Sequence, residues 1–124
     1  MRSDDHTDDH MYFTSKVENG VLCITFSDRD LALDDVPGLH AELEKSVESI
    51  DRPRVILNLE HVHYLPTTAL GAIVSTLTKV RRKHGEMRLA CLNDNIDELM
   101  HIGRLDRIFE IHATVEEALA SFQS

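Results

Sequence analysis

The chain has 124 residues, 42% hydrophobic and 28% charged, the proportions of an ordinary globular domain and not of a disordered, collagenous or disulfide-dense chain. Thirteen Lys and Arg against twenty-two Asp and Glu leave a net charge of −9, so there is no surplus of positive charge to neutralise phosphates and nucleic acid is not expected as a partner. The longest stretch free of Asp, Glu, Lys and Arg, 61–78, holds Pro66, two His and five Ser or Thr; it does not match the apolar span of about 20 residues that a bilayer demands, and no membrane insertion is expected.

Positions 1–10 carry Asp4, Asp5, Asp8 and Asp9 with one Arg, two His and no apolar side chain after Met1. Such a segment cannot bury enough surface to offset its ordering entropy and reads as a disordered acidic tail, followed by one domain over 11–124. It also lacks the apolar stretch of a secretory signal, so a cytoplasmic protein is expected. Without the tail, eighteen acids face twelve bases, a net charge of −6, so the acidity belongs to the domain as well.

Two strand-like runs, 12–17 and 21–26, flank Asn19-Gly20, the dipeptide most favoured in tight hairpin turns. Leu39, Leu43, Val47 and Ile50 then recur at helical spacing behind Asp34, Asp35 and Pro37, which predicts a helix over 36–49 with its cap and an early, tolerated proline. The continuous apolar run in 54–59 predicts a central strand covered on both faces. A second helix carries Ala69, Leu70, Ile73, Val74, Leu77 and Val80 on one face, with a stop at Gly85. The cluster Lys79, Arg81, Arg82, Lys83 at its end resembles a headgroup or nucleic-acid patch in isolation, but cations at a helix C-terminus are explained by the helix dipole, at roughly 0.3–1 kcal/mol each.

A strand over 87–92, a short helix capped by Asn93-Asp94 and ended by Gly103, a strand over 108–112, and a helix opened by the capping box Thr114-Val115-Glu116-Glu117 complete the chain. The predicted order is ββαβαβαβα. Strands alternating with helix-length connections require an α/β fold: a single-layer, mixed, mostly parallel β-sheet flanked by helices.

Local catalytic signatures are missing. The five glycines are never closer than fourteen positions, so neither a dinucleotide fingerprint nor a phosphate loop can be written. There is no G-x-S-x-G, C-x-x-C or H-E-x-x-H. Cys23 and Cys91, each in an apolar run, read as buried reduced thiols. His61 and His63 project to one side of an extended chain and could share a metal, yet only Glu60 is near as a further ligand. Solvated imidazoles at a strand end are the simpler account, and neither a metal nor a cofactor is expected. His6 and His10 with the tail Asp residues could take up adventitious metal at most.

The segment 55–71 (Val55-Ile56-Leu57-Asn58-Leu59, then Leu65-Pro66-Thr67-Thr68-Ala69-Leu70-Gly71) resembles the core motif of the STAS domain family of anti-sigma factor antagonists. There a strand ending in Asp-Leu leads through a loop to Asp-Ser-Ser-Gly-Leu-Gly and a helix. The stretch 102–111 and Val115-Glu116-Glu117-Ala118-Leu119 are similar to the C-terminal part of that family, so the likeness runs from about Tyr12 to Phe122. It implies a non-enzymatic regulator that binds an anti-sigma factor acting as a Ser/Thr protein kinase, and that is released when the first hydroxyl residue after the loop is phosphorylated. A phosphoprotein phosphatase would be a further partner.

By position that hydroxyl is Thr67, with Thr68 as second choice. The implied partner surface is Thr67, Thr68, Gly71, Ser75 and Thr78. The sequence departs from the motif at Asn58, Pro66 and Ala69, where the family has Asp, Asp and Gly, so both carboxylates near the acceptor hydroxyl are lost. Thr67 is also expected to act as an N-cap, worth ~1 kcal/mol, and the alternative function is a constitutive STAS scaffold or adaptor in a signalling or transporter complex. Phosphate at Thr67 would add about −1.5 to −2 charges where the helix dipole favours an anion, so the fold would survive while a partner shaped against the hydroxyls would meet a hydrated dianion.

Overall fold

The computed structural model describes residues 7–9, 11–28 and 31–123. In chain order the elements are β1 (Thr7–Asp9), β2 (Phe13–Glu18), β3 (Val21–Phe26), α1 (Val36–Glu48), β4 (Arg54–Asn58), α2 (Thr67–Arg82), β5 (Glu86–Ala90), α3 (Asp94–Ile102), β6 (Glu110–His112) and α4 (Val115–Gln123). One sheet contains all the strands in the order β1-β2-β3-β4-β5-β6. The β1–β2 and β2–β3 pairs are antiparallel, and the pairs from β3 to β6 are parallel. Each parallel step carries a helix in its connection, which is the reason a mixed sheet follows from the element order.

The sheet has one strand more than the sequence suggests. β1 lies within the stretch read as a tail, and aligns Thr7 with Lys16 and Asp9 with Thr14. Pairing along an edge uses backbone N–H and C=O groups and needs no apolar side chains, so composition does not reveal it. The remainder of the tail, 1–6 and 10, lies outside the described residues.

β4 is the middle of the core. Val55 and Leu57 face the large cluster built with α1, α2 and α3, while Ile56 faces the smaller cluster with Val21, Cys23, Ala90, Ala118 and Leu119 beneath α4. The alternation follows from the period of two along a strand, and burial on both faces explains the unbroken apolar run. On the large-cluster side Phe13 and Phe26 stack at a ring-centroid distance of 6.4 Å. Asn19 and Gly20 take φ of 54° and 79°, the positive values that a two-residue hairpin turn requires.

Helix ends depart from the expected glycine rule at two places. α2 closes with Gly85 N–H donating to Val80 O (2.9 Å) and His84 N–H donating to Arg81 O (3.0 Å), a pairing in which the left-handed residue is His84 at φ 64°. Gly85 is needed for space: a Cβ there would lie 2.0 Å from the carbonyl oxygen of Pro53. At the end of α3, Gly103 keeps φ −80° and Arg104 takes φ 60°. The chain then forms a 3-10 turn, Leu105–Arg107, that draws the N–H groups of Ile108 and Phe109 to Leu105 O, both at 3.0 Å. Those donors are lost to the sheet, so β6 begins at Glu110 and not at 108.

Candidate functional site

The site forms where β4 hands over to α2. Leu59, Val62, Leu65 and Pro66 of the connection are buried while His61, His63 and Tyr64 are exposed, so the loop is anchored by alternate apolar plugs. Its polar groups are held at both ends. Asn58, only 6% exposed, accepts from Glu60 N–H through Oδ1 (3.0 Å) and donates through Nδ2 to Glu60 Oε1 (2.8 Å). Leu59 N–H donates to Ala90 O on β5 at 3.0 Å. Asn93 caps α3 by accepting from Ile96 N–H (2.9 Å), and its Nδ2 donates to Val62 O (3.0 Å) and His63 O (3.3 Å).

This clamp delivers an exposed Thr67 as the first residue of α2, followed by an exposed Thr68. The cap position itself is Pro66, extended at φ −60° and ψ 148°, with no side-chain cap bond. The N-cap role expected for Thr67 is therefore corrected: the helix begins one residue earlier in register than that role requires, and the proline side chain has no oxygen to offer. Ala69 N–H is met by Pro66 O at 2.9 Å, whereas Thr67 and Thr68 N–H belong to the first turn and have no intrahelical acceptor. Partial positive charge thus collects beside two free-standing alcohols.

Along α2 the buried face is Leu70, Ile73, Leu77 and Val80, and the opposite face presents Thr67, Thr68, Gly71 and Thr78 to solvent with Ser75 half-buried. The five residues assigned to a partner surface do lie on one stripe, as the helical period demands, but they are not equivalent. Ser75 Oγ donates to Glu44 Oε2 of α1 (3.3 Å) and Thr78 Oγ1 to Val74 O (3.1 Å), so both hydroxyls are committed within the fold. Outside its own turn of helix, Gly71 has no atom within 4 Å of where a Cβ would stand; nothing in the packing calls for glycine there.

Glu44 also takes His40 Nε2 at 2.8 Å and Lys79 Nζ at 3.9 Å. Partial burial pushes its carboxyl up, but the hydrogen bonds and charges of His40, Ser75 and Lys79 together hold it below the usual range. Burial drives the Cys23 thiol up to about 11, with Glu18 adding to the rise and Lys16 opposing it. Cys91 is raised too, first by burial. Both are free thiols. His61 Nε2 lies 3.9 Å from Glu60, and among the described residues no group of three His, Cys, Asp or Glu could hold a metal ion.

Two features of this corner escape the sequence. Asn93 reads as a helix cap, and its second task of holding the preceding loop depends on the β4–β5 adjacency. Tyr64, 66% exposed, lies on the same loop three residues before Thr67, where the largely apolar stretch 55–65 gives no sign that it is left to solvent.

A mixed sheet with α1, α2 and α3 on one face and α4 on the other, and with two exposed threonines in the first turn of α2, defines a domain of the α/β class. The chain belongs to the STAS domain family, whose family model matches residues 12–118. A protein of Thermotoga neapolitana named as a candidate anti-sigma factor antagonist is 33% identical over 70 residues, 56% of this chain and 62% of that one; the match spans less than two thirds of its length. The fold is shared with an anti-sigma-factor antagonist (STAS) domain protein from Planctomyces limnophilus, at a TM-score of 0.83 and 18% identity, over 90% of this chain and 98% of that one. It is also shared with the Bacillus cell fate determinant SpoIIAA in its phosphorylated form, at a TM-score of 0.67 and 16% identity, over 89% and 98%. Among the described residues no helix is long and apolar enough to cross a membrane.

Proposed function

We propose that this chain is an anti-sigma factor antagonist that binds an anti-sigma factor with Ser/Thr kinase activity and is switched off by phosphorylation of Thr67. In this reading it is a cytoplasmic, non-catalytic regulator, and a phosphoprotein phosphatase restores the binding form. The observation that carries the proposal is the exposure of Thr67 and Thr68 at the first turn of α2, after a loop that Asn93 ties to α3 through Val62 O and His63 O. A dianion at Thr67 would sit against the positive end of the helix at no cost to the fold. The same charge would oppose desolvation by a partner packed on Thr67, Thr68 and Gly71.

The second reading, a constitutive STAS scaffold, is favoured by Asn58 and Pro66. Asn58 is neutral and spends both polar atoms on Glu60, so no carboxylate stands at the two places where the family motif supplies one. The test is binding and modification by the cognate kinase. Thr67→Glu keeps its circular dichroism spectrum and loses affinity, while Thr67→Ala binds and takes up no phosphate. Equal binding by the two variants, or phosphopeptide maps from native cells with no phosphate on Thr67 in any growth condition, decides for the scaffold.

A further inference from the structure

The end of the sheet opposite Thr67 carries a separate feature. β4 starts at Arg54 and β5 at Glu86, and the connections leading into them are locked together: Glu86 N–H donates to Pro53 O (2.9 Å), and Gly85 is so close to Pro53 that no side chain fits. This junction fixes Arg52, at φ 52°, and His84, at φ 64°, side by side in left-handed backbone. With Arg54 and Arg88 they line an open cleft of about 360 Å3 whose far wall is Ser121 and Phe122. Four to five residues of strand, at ~3.3 Å each, separate it from the start of α2.

The charge within the cleft is unbalanced. Its only acid is Glu86, which lies 3.3 Å from Arg81 Nε. Arg88 is held as the floor: it donates to Ser121 Oγ, approaches Glu110 at 3.6 Å and lies 4.0 Å over the Phe122 ring. Arg52 and Arg54 are exposed and have no ion pair or side-chain hydrogen bond among the described residues. In a chain of net charge −9, two exposed guanidinium groups with no partner among the described residues, carried on a backbone junction closed by the Glu86–Pro53 hydrogen bond, are not accounted for by solubility or by stability. Guanidinium forks match tetrahedral oxyanions in a bidentate manner, and a floor already immobilised by three contacts needs no ordering when a ligand arrives.

The geometry points to an oxyanion site here, in which Arg52 and Arg54 bind a phosphate-type dianion, either free or carried on a phosphorylated side chain. The site is independent of Thr67 and of the antagonist reading. The test is an amide NMR titration of the full chain with sodium phosphate against sodium chloride at matched ionic strength. Phosphate produces saturable shifts at Arg54, Gly85 and Ser121, and chloride produces none. The double substitution Arg52→Gln with Arg54→Gln leaves the remaining spectrum in place and weakens binding about tenfold or more, as expected for loss of charge-assisted bonds.

A parallel titration with O-phosphoserine separates the sources: tighter binding than phosphate assigns the site to a phosphorylated side chain, and equal binding to the free ion. The same linear drift in both salts, or an unchanged half-saturation point in the double variant, overturns the proposal.

Discussion

Asn93 and Val62 are joined by a 3.0 Å hydrogen bond from Nδ2 to the carbonyl oxygen, made by the same side chain whose Oδ1 caps α3. One residue therefore ties the start of α3 to the loop that delivers Thr67. The two halves of the amide can be tested apart. Asn93→Asp keeps the acceptor for Ile96 N–H and loses the donor, and costs ~1 kcal/mol; Asn93→Ala loses both, and costs ~2 kcal/mol. Urea unfolding gives the totals. Amide exchange at Val62 to Leu65 speeds up in both variants, while α3 stays protected in the Asp variant alone. Unchanged loop exchange in Asn93→Asp removes the clamp.

Gly71 is the second test, because it separates folding from binding. A glycine inside a helix is disfavoured by roughly 0.5–1 kcal/mol relative to alanine, and at this position the added methyl group meets nothing outside its own turn of helix. Gly71→Ala is expected to raise stability by that amount. If the stripe is the partner surface, the same variant weakens kinase binding; a variant that is both more stable and fully competent in binding takes Gly71 out of the interface.

Gly85 makes the opposite case. A Cβ would stand 2.0 Å from Pro53 O, and since the obstacle is backbone, relief requires the β4–β5 junction to open. Gly85→Ala is expected to cost ~2 kcal/mol or more in chemical denaturation. Gly103→Ala, whose nearest obstacle is 3.4 Å away and whose φ is −80°, is expected to be nearly neutral. Equal costs for the two would refute the packing argument.

Cys23 sets an alkaline limit. Its thiol is raised from 9.0 to about 11 by burial, by Glu18, and against Lys16, so the folded state holds the proton more tightly than the unfolded chain. The corresponding stability is fully present below pH 9.0 and is lost as the pH rises to about 11. The shift corresponds to ~2–3 kcal/mol at most. Urea midpoints measured from pH 8 upward fall across that window, and Cys23→Ala flattens this part of the profile. A wild-type profile as flat as that of the alanine variant contradicts the assignment.

Much of the architecture was legible in the chain. The hairpin at Asn19-Gly20, the doubly buried β4, the amphipathic α2 and the cap at Thr114, whose Oγ1 accepts from Glu117 N–H at 3.0 Å, all rest on local chemistry: turn dihedrals, apolar period, and orphan N–H groups at helix starts. The element order then forces a mostly parallel sheet, and the motif at 55–71 directs attention to Thr67.

What only the tertiary structure decided has a common physical origin, in groups that meet because strands are neighbours and not because residues are close in sequence. β1 pairs through its backbone along the edge of β2. His84, and not Gly85, turns the end of α2, while Gly85 is required because Pro53 claims the space where a side chain at 85 would be. Pro66 holds the cap position that Thr67 was expected to fill, leaving the hydroxyl unspent. Ser75 is drawn to Glu44 across the α1–α2 contact, and Arg52 comes beside His84 only because β4 lies against β5. Local propensity writes the elements; side-chain chemistry at the junctions between them depends on three-dimensional adjacency, which no short window of sequence contains.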